Sequence, residues 1–495
     1  MARKSGTTPI GSPRSCSTVE NKRYRPLQCE RFSLSEKTIS SKPLNILIMA
    51  AGLGTRMKSN RAKVLHELGG VPLIAHVSRA AQALEPRSII TIVGHQAEQV
   101  EQAVLAEVGE LASFVIQAKQ RGTGDAVESA RKLLEHEDSL VLVLSGDVPM
   151  IRVETLRNLI ELHQNSAAAC TILSVRLENP TGYGRIIRDE NDSFRKIVEQ
   201  RDASEEERQV KEINSGIYCF EAQDLFEALS KVEPKNDQGE YYLTDVPEII
   251  MASGGKVSVY LHNDAREVYG VNSRAELAEF ENLVRRNAIR RLMMESGVTF
   301  IDPSHSYVSA EAQVGRDSII HPNVTIEGKS IIGENCVIRA GVRITNSRLG
   351  DNVVVKDHSV IVDSDVGANC SVGPFAHLRM NATLEEKAAV GNFVEVKKSR
   401  LKRGTKAMHL TYLGDATIGE RTNIGAGTVT CNFDGTHKHE TIIEDDVKVG
   451  SDTMLVAPVR VGARSVTGAG SVVTRDVPPD SLVAGVPAEV KKKLK

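Results

Sequence analysis

The chain has 495 residues, enough for about three domains of ordinary size, and its charges nearly balance, with 62 Lys and Arg against 64 Asp and Glu. This balance gives no general attraction to nucleic acid or to an anionic membrane, and no apolar run approaches about 18 residues, so we expect neither partner. The seven cysteines are scattered, odd in number and without a C-x-x-C pair, which predicts free thiols in a reducing compartment.

The first 43 residues are polar, rich in Ser and Thr, and basic, with nine Lys or Arg against three Glu. They contain no apolar segment of the kind that secretory signals carry. We expect a disordered basic tail over 1–43, or residues upstream of the true start. A transit peptide is the alternative, and the three Glu count against it.

Residues 45–63 join a short buried strand to a glycine turn. The apolar run 46–49 is followed by small residues that include Gly52 and Gly54. Such glycines let the backbone approach a ligand and direct its N–H groups there, and Arg56 and Lys63 add two cations, so the segment suits a polyphosphate. It matches neither the Walker A loop nor the dinucleotide fingerprint. By its glycines alone, an ordinary strand-to-helix turn is an equally good interpretation.

Residues 44–272 alternate between strand-like and helix-like segments. The predicted strands are 45–49, 88–93, 113–116 and 140–144, and amphipathic stretches at 96–108 and 124–134 predict helices. This alternation favours βαβ units, a parallel sheet and helices on both of its faces. Ligands bind at the carboxyl ends of such strands. The glycine turn lies at one such end, and residues 145–147 lie at another.

A helix is predicted from Ser273, which forms a capping box with Glu276, to a stop at Gly297. Its polar face carries Arg285, Arg286, Arg290 and Arg291. We interpret this face as the solvated side of a linker helix; the alternative is a nucleic-acid patch.

Aliphatic residues recur every six positions in the last third of the chain. This step fits neither a helix nor a flat strand and is the hexapeptide signature of a parallel β-helix, whose short strands wind three to a coil. The step breaks over 403–413 and 431–441, and we expect binding loops to project there. The positions are Val314, Ile320, Ile326, Ile332, Ile338 and Ile344, and later Ile443, Val449, Leu455, Val461 and Val473, with Thr467 in the remaining place.

A series of motifs in a fixed order resembles the family of bifunctional N-acetylglucosamine-1-phosphate uridyltransferases and glucosamine-1-phosphate N-acetyltransferases. The resemblance covers about residues 44–487. It implies an α/β nucleotidyltransferase domain with a Rossmann-like mixed sheet (44–272), a linker helix (273–297) and a left-handed parallel β-helix (298–495). The motifs are A-A-G-L-G-T-R-M at 50–57, Q-x-x-x-x-G-T-G at 117–124, G-D-V-P at 146–149, N-P-T-G-Y-G-R-I at 179–186, E-I-N-S-G-I at 212–217, G-E-Y-Y-L-T-D at 239–245, G-V-N at 270–272, G-P-F-A-x-L-R at 373–379, G-N-F-V-E-V-K-K at 391–398, H-L-T-Y-L-G-D at 409–415 and N-I-G-A-G-T at 423–428.

For the first domain, the resemblance implies that UTP and N-acetylglucosamine 1-phosphate give UDP-N-acetylglucosamine and diphosphate. Such phosphoryl transfer needs positioning of the two substrates and neutralisation of their phosphate charge. Mg²⁺, a hard cation that prefers oxygen ligands, suits the phosphates. The resemblance assigns the ion to Asp147 and Asn272, a catalytic role to Lys63 and Arg56, and the sugar to Gly184, Glu199 and Asn214. It assigns UTP and product binding to Met49, Ala50, Ala51, Gly52, Lys63, Gln117, Gly122, Thr123, Ser145, Gly146, Asp147 and Asn272. By position alone, the alternative for Asp147 is a helix N-cap and the alternative for Asn272 is a turn residue.

For the solenoid, the resemblance implies acetyl transfer from acetyl-CoA to glucosamine 1-phosphate. Amine attack on a thioester needs a base, and His409 matches the family's base with a side chain of suitable pKa. The amino-sugar phosphate is assigned to Arg379, Lys397, Tyr412 and Asn423, and acetyl-CoA to Ala426, Asn432, Phe433, Ser451 and Ala469. Arg379 and Lys397 are eighteen residues apart, one coil, so we expect them to stack on one face and to grip one phosphate.

The chain departs from the family pattern at three places. Ala62 stands where the family usually has Pro, and Phe433 stands where it commonly has Tyr. The Arg that contacts coenzyme A in some members is missing near Gly485, where the lysine run 491–493 is the candidate substitute.

Family members are trimers with acetyl sites between subunits, so the resemblance implies a homotrimer. It also implies a cytoplasmic enzyme whose product feeds peptidoglycan and lipopolysaccharide synthesis. Two alternatives remain open. One is a single-activity sugar-1-phosphate nucleotidyltransferase with a structural β-helix, against which His409, Arg379 and Lys397 speak. The other is a scaffold protein with an inactive first domain, against which Asp147 and Asn272 speak.

Overall fold

The computed structural model describes residues 42–494, so nearly all of the predicted tail at 1–43 lies outside the described residues. Lys42, counted in that tail, is anchored on the first domain. Its ammonium lies 2.7 Å from a carboxylate oxygen of Asp138 and 2.8 Å from one of Glu221. The first strand begins two residues later, at Leu44.

The first domain is built on a mixed nine-stranded sheet, as the sequence predicts. Its main path runs β11-β7-β10-β6-β1-β4-β5, and β8 and β9 form a hairpin beside β10. A separate two-stranded ribbon joins β2 to β3. The strands are β1 (Leu44–Met49), β2 (Glu67–Leu68), β3 (Val71–Pro72), β4 (Ser88–Val93), β5 (Ala112–Ile116), β6 (Leu140–Ser145), β7 (Cys170–Arg176), β8 (Arg185–Arg188), β9 (Phe194–Val198), β10 (Glu212–Glu221) and β11 (Val257–His262).

The central strand β1 is buried on both faces of the sheet. Ile46 and Ile48 point into one core and Leu47 into the other, and all three are fully buried. A strand buried on both sides reads as a continuous apolar run, which is the pattern that predicted it. β1 pairs in parallel with β4 and β6, and Met49 lies opposite Ser145, so the loops after β1 and β6 leave the sheet side by side.

Helices cover both faces of this sheet. The predicted helix over 124–134 is two short helices, because the chain turns at residues 129–130. The helices are α1 (Leu73–Gln82), α2 (Ala97–Val108), α3 (Thr123–Glu128), α4 (Arg131–Leu134), α5 (Val153–Ser166), α6 (Glu205–Arg208), α7 (Ala222–Leu229), α8 (Val246–Ala252) and α9 (Arg274–Glu295). Among residues 42–494, no helix has the length and apolar character that a membrane crossing requires.

Helix α9 links the first domain to the solenoid. The predicted capping box is present, since Ser273 accepts from the Glu276 N–H and Glu276 accepts from the Ser273 N–H. Phe280 packs on the first domain, whereas Ile289 and Leu292 close the end of the solenoid core.

The arginine face of α9 is only partly the solvated surface that we expected. Arg286 and Arg290 are exposed. Arg285 instead stacks on Tyr307, 4.5 Å from its ring centre, and Arg291, although exposed, donates to the carbonyl oxygens of Ala310 and Ala312. These two side chains dock the helix on the first coil.

The third region is a parallel β-helix with three faces, consistent with the predicted left-handed form. Face 1 consists of Thr299–Phe300, Ile319–Ile320, Val337–Ile338, Val354–Val355, Ser371–Val372, Ala389–Asn392, Lys406–His409, Asn423–Ile424, Lys448–Val449, Val466–Thr467, Ser481–Ala484 and the antiparallel Glu489–Lys493. Face 2 consists of Tyr307–Val308, Thr325–Glu327, Arg343–Thr345, Val360–Val362, His377–Arg379, Glu395–Lys397, Tyr412–Gly414, Val429–Cys431, Met454–Val456 and Val472–Val473. Face 3 consists of Gln313–Val314, Ile331–Ile332, Arg348–Leu349, Asp365–Val366, Thr383–Leu384, Arg400–Leu401, Ala416–Ile418, Thr441–Ile443 and Val459–Val461.

Every residue of the predicted six-step series is buried in the solenoid core or, for Thr467, beside it. The prediction that a loop projects at 403–413 is wrong. That segment forms regular strands of faces 1 and 2, and Ala407 pairs with Val390 and Ile424, each seventeen residues away. The coils there have seventeen residues instead of eighteen, which interrupts the six-residue period although no loop projects. The predicted loop at 431–441 is confirmed: face 3 passes from Ile418 to Ile443, twenty-five residues on.

Candidate active sites

Gly54 shapes the turn after β1. Its φ is +59°, and an added Cβ would lie 2.6 Å from the Cβ of Lys63. Glycine adopts this left-handed conformation without strain, and its missing side chain lets the turn close on Lys63. Met57 is buried at the far end of the turn, which holds the intervening Arg56 at the surface.

A cavity of about 340 Å³ opens beside this turn, at the carboxyl ends of β1 and β6. Gly146 lies directly behind it, and its N–H donates to the Met49 carbonyl at 2.9 Å. Gln120 and Glu240 also line the cavity; they lie inside the motifs at 117–124 and 239–245 but are not among the predicted binding residues. The predicted nucleotide residues that line it are Met49, Ala50, Ala51, Gly52, Lys63, Gln117, Gly122, Thr123, Ser145 and Asp147.

Lys63 connects Asp147 to Asn272 at one end of the cavity. Its ammonium forms an ion pair with the Asp147 carboxylate and donates to Oδ1 of Asn272 at 3.1 Å. Arg56 donates to the same Oδ1 at 2.9 Å. Two cations and one carboxylate therefore surround a point where phosphate charge can be neutralised.

Asp147 and Asn272 suit a divalent cation by the chemistry of their donor atoms. A carboxylate and an amide oxygen are hard ligands, and Mg²⁺ is commonly held by one or two such groups together with substrate phosphates. Asn272 is well oriented for this, because its Nδ2 donates to the Gly270 carbonyl at 3.0 Å and its Oδ1 faces Lys63. Within residues 42–494 no cluster of three or more His, Cys, Asp or Glu forms a metal site, so substrate oxygens would complete the shell.

Gln117 and Thr123 lie on the opposite side of the cavity. Nε2 of Gln117 donates to the Gly122 carbonyl at 3.1 Å and to the Asp125 carboxylate at 2.9 Å. The Oε1 of Gln117 is therefore free to accept a hydrogen bond. Thr123 accepts from the Leu243 N–H and keeps its own hydroxyl proton. Gly122 has φ +113°, and a Cβ there would collide with the Tyr241 backbone, so this close approach requires glycine.

The three predicted sugar residues come together between β8, β9 and β10. The Asn214 N–H donates to the Gly184 carbonyl at 2.9 Å, and a Cβ on Gly184 would lie 3.4 Å from Oε1 of Glu199. Burial raises the pKa of Glu199 above its ordinary value, although a hydrogen bond from Thr244 opposes the shift. The Asn214 amide donates to the Tyr218 hydroxyl at 2.7 Å, which fixes the Asn214 side chain.

On the solenoid, Arg379 and Lys397 are register partners on face 2, as the coil length predicts. Arg379 pairs with Glu395 at 2.7 Å, and Lys397 pairs with Asp415 at 2.9 Å. Tyr412 lies on the same face with its ring over Gly414. Three of the four predicted sugar-phosphate residues thus share one face, whereas Asn423 lies on face 1.

His409 ends a strand of face 1, at the corner between faces 1 and 2, and its side chain is exposed. Ala426, Ser451 and Ala469 occupy the same corner in the next three coils, each two residues beyond an inward-facing residue of face 1. Successive coils lie about 4.8 Å apart, so these positions form a straight row that begins at the imidazole.

Asn432 and Phe433 do not join this row. They begin the projecting loop 432–440, which leaves the corner between faces 2 and 3. The Asn432 amide donates to Asp415 at 2.5 Å, whereas the Phe433 ring is 58% exposed. Within one chain the predicted acetyl-CoA residues therefore form two groups on different corners.

Three neighbours of these residues are not among those predicted from the sequence. Asn392 contacts His409, Asp415 contacts Lys397, and Lys438 comes close enough to Lys397 that the pKa of its own ammonium is lowered. Asn392 and Asp415 lie inside quoted motifs, and Lys438 lies inside the predicted loop. Their positions were available from the sequence, but nothing in it marked their contacts.

Three family models match the chain. Residues 45–268 match the model described as Nucleotidyl transferase, residues 303–392 that of the GMPPB C-terminal domain, and residues 440–475 that of the Hexapeptide repeat of succinyl-transferase.

Curated proteins named Bifunctional protein GlmU are similar along most of the chain. Identity to the protein of Syntrophomonas wolfei is 45% over 439 residues, which cover 89% of this chain and 96% of the relative. For Heliobacterium modesticaldum it is 48% over 436 residues, covering 88% and 94%. For Enterococcus faecalis it is 46% over 446 residues, covering 90% and 96%.

Proposed function

Because the chain belongs to the family of bifunctional GlmU proteins, we infer that it makes UDP-N-acetylglucosamine in two steps on two domains. The solenoid transfers an acetyl group from acetyl-CoA to glucosamine 1-phosphate. The first domain then transfers a uridylyl group from UTP to N-acetylglucosamine 1-phosphate and releases diphosphate. The observation that carries this conclusion is the similarity to bifunctional relatives over about nine-tenths of the chain.

In uridylyl transfer, a sugar-phosphate oxygen attacks the α-phosphorus of UTP and diphosphate leaves. We propose that the turn after β1 directs its amides at the triphosphate while Lys63 and Arg56 neutralise its charge. Asp147 and Asn272 would hold a divalent ion, which we take to be Mg²⁺ and which supplies further charge to the phosphates. The ion pair between Lys63 and Asp147 supports this assignment, since it keeps both groups at the same end of the cavity.

Recognition of the uracil ring is assigned to Gln117 and Thr123. The free Oε1 of Gln117 can accept from the ring N–H, and the Thr123 hydroxyl can donate to a ring carbonyl. Glu199 and Asn214 are assigned to the sugar. Their position beside Gly184, where no side chain intervenes, supports a hydroxyl and an acetamido group as their ligands.

In acetyl transfer, the sugar amine attacks the thioester carbonyl and coenzyme A leaves. We propose that His409 takes the proton from the amine through Nε2, while Arg379, Lys397 and Lys438 bind the phosphate. Tyr412 lies between these groups on face 2. The row of positions after His409 would hold the length of acetyl-CoA.

We further propose a homotrimer in which neighbouring chains complete the acetyl site. An apolar ridge supports this: Phe375, Phe393 and Leu410 project from the corner that bears His409, with exposed fractions of 49%, 56% and 62%. Phe375 and Phe393 stack at 5.4 Å. Packing this ridge against the corner of a second chain would bury it and bring a neighbouring loop 432–440 to the His409 row. UTP and acetyl-CoA are cytoplasmic metabolites, and we place the enzyme in that compartment.

The two half-reactions can be assayed separately in two variants. His409→Ala is expected to abolish acetyl transfer and to leave uridylyl transfer unchanged, and Asp147→Ala is expected to do the reverse. Two matched controls should leave both activities intact. His321→Ala changes a histidine on an early coil, and Asp138→Ala changes an aspartate at the opposite end of β6. A wild-type protein without acetyl transfer would favour the single-activity alternative. If His409→Ala and Asp147→Ala both spare both reactions, the site assignments are wrong.

A further inference from the structure

Asp415 holds two groups of the solenoid site with one carboxylate oxygen. Its Oδ2 accepts from Nζ of Lys397 at 2.9 Å and from Nδ2 of Asn432 at 2.5 Å. The backbone also contacts Lys397 and the end of the loop, because the Asp415 N–H donates to the Lys397 carbonyl and the Asp415 carbonyl accepts from the Thr441 N–H, where the projecting loop rejoins the coil. Asp415 therefore lies at the base of loop 432–440 and beneath Lys397.

The pair of Asp415 and Lys397 is shielded from solvent. Their side chains are 10% and 4% exposed. Burial alone would raise the pKa of Asp415, but the hydrogen bonds from Lys397 and Asn432 outweigh it and the pKa lies below its usual value. The carboxylate is thus charged at neutral pH, and removal of its charge would leave a buried ammonium without a counter-ion.

The local charge stays favourable for a phosphate although a carboxylate is present. Lys398 places its ammonium 3.6 Å from Oδ1 of Asp415, and Lys438 lies beside Lys397. Three ammonium groups therefore surround one carboxylate. The role of Asp415 is consequently orientation, since it fixes the direction of Lys397 without cancelling the attraction for an anion.

We propose that Asp415 is a positioning residue for both substrates of acetyl transfer: it holds Lys397 for the phosphate of the amino sugar and Asn432 for acetyl-CoA. The inference rests on the proposed function, because the ligands of Lys397 and Asn432 are assigned there. It adds a physical link between two binding sites that otherwise involve different elements, a strand of face 2 and the projecting loop.

The primary variant is Asp415→Asn in the full-length protein. Asn has the same shape and tolerates the left-handed backbone of this position, where φ is +48°, so the change removes the charge and little else. We expect the KM values for glucosamine 1-phosphate and for acetyl-CoA each to rise about tenfold or more, while kcat changes less than threefold because His409 lies on another corner. Uridylyl transfer should not change.

Asp446→Asn is the matched control. Asp446 also has a left-handed backbone, with φ +58°, and pairs with Arg421 at 2.7 Å, but on the corner between faces 3 and 1. It should leave both KM values at the wild-type level. A second variant, Asp415→Glu, keeps the charge but displaces it by one methylene and should raise both KM values by a smaller factor. If Asp415→Asn does not fold, wild-type KM values in Asp415→Glu overturn the proposal.

A double-mutant cycle separates positioning from a general structural role. Lys397→Met alone should raise the KM for glucosamine 1-phosphate. Adding Asp415→Asn to it should raise that KM no further but should still raise the KM for acetyl-CoA through Asn432. Equal effects of Asp415→Asn on glucosamine 1-phosphate in both backgrounds, or no effect on either KM, would overturn the proposal. Failure of the proposed function has a different signature, namely acetyl transfer that survives His409→Ala.

Discussion

Nδ1 of His409 lies 2.9 Å from Oδ1 of Asn392, its register partner in the preceding coil. An amide oxygen accepts hydrogen bonds and cannot donate them, so in the neutral imidazole Nδ1 carries the proton and Nε2 keeps its lone pair. The contact selects the tautomer in which the exposed ring nitrogen can act as a base. Asn392 therefore orients the group that we assign to proton removal.

Substitution of Asn392 should change acetyl transfer in two distinguishable ways. Asn392→Ala frees the ring, and we expect kcat to fall about tenfold. Asn392→Asp places a carboxylate beside the imidazole and stabilises its charged form. The base then keeps its proton to higher pH, so we expect the acidic limb of the pH profile of kcat/KM to move to higher pH.

The control for these variants is Asn158→Ala, an exposed asparagine of α5 in the first domain. It should leave acetyl transfer unchanged, and all three proteins should retain uridylyl transfer. An acidic limb at the same pH in Asn392→Asp and the wild type would contradict the role given to this contact.

The second prediction concerns competition between Lys63 and a divalent ion. Lys63 occupies the same oxygens, on Asp147 and Asn272, that we assign to the metal. Lys63→Met removes a positive charge from that point, so we expect Mn²⁺ or Mg²⁺ to bind about tenfold more tightly in the absence of nucleotide. Uridylyl transfer should nevertheless fall by about a hundredfold, since the phosphates lose a cation.

Titration calorimetry measures the binding, and Lys58→Met is the control because Lys58 is an exposed neighbour on the same turn. Weaker ion binding in Lys63→Met than in Lys58→Met would place the metal elsewhere. Unchanged binding together with lost activity would mean that Lys63 contacts phosphate but not the ion site.

The place of the first cavity was predictable because its loops follow neighbouring parallel strands. The run 88–93 coincides with β4, and the pairing of Met49 with Ser145 brings the two predicted loops to one edge of the sheet. Apolar runs mark such strands, and their carboxyl ends converge without further information. The contacts of Lys63 with Asn272 could not be predicted, since they join residues 209 positions apart.

The solenoid was predictable in its core but not in its corners. A six-residue period states which residues point inward, and all of them do. It does not reveal where a coil has seventeen residues, as between Val390 and Ala407, so a shortened coil was mistaken for a projecting loop. The period alone also does not predict at which of the three corners a residue lies, because that requires the length of every coil. The separation of Asn432 from the His409 row was therefore visible only in the structure.

The third prediction concerns Thr467, the one polar residue in the later aliphatic series. It is 1% exposed, and its hydroxyl accepts from the Gly450 N–H at 2.9 Å and lies 3.0 Å from the Thr453 hydroxyl. Thr467→Val keeps the volume but leaves the partly buried Gly450 N–H without its acceptor, a loss of about 1 kcal/mol. Scanning calorimetry should show a lower melting temperature for the solenoid.

Thr325→Val is the matched comparison, because Thr325 points outward from face 2 and its hydroxyl has no partner among residues 42–494. Its melting temperature should equal that of the wild type. Equal shifts in the two variants would assign the loss to the change of residue type and not to the buried hydrogen bond.

The fourth prediction concerns pH and Asp245, which stands just before α8. Burial, reinforced by Glu248 and Asp202, raises its pKa to about 6. In the unfolded chain the same group titrates near 4. Above pH 6 both states carry the charge, and the folded state bears the cost of holding it in a partly buried, acidic environment. Between pH 6 and 4 the folded state gains a proton first, so this contribution makes folding more favourable as the pH falls.

Asp245→Asn removes that cost, and we expect the first domain to be more stable by about 1 kcal/mol at pH 7.5, after allowance for solvent screening. The gain should shrink through pH 6 and vanish near pH 4, as followed by melting temperature. Asp264→Asn should behave oppositely, since hydrogen bonds from Arg266 lower the pKa of Asp264 to about 2 and its charge stabilises the fold above pH 4. That variant should melt below the wild type at pH 7.5 and converge with it in acid. A gain for Asp245→Asn that is independent of pH would show that the carboxyl does not titrate in this window.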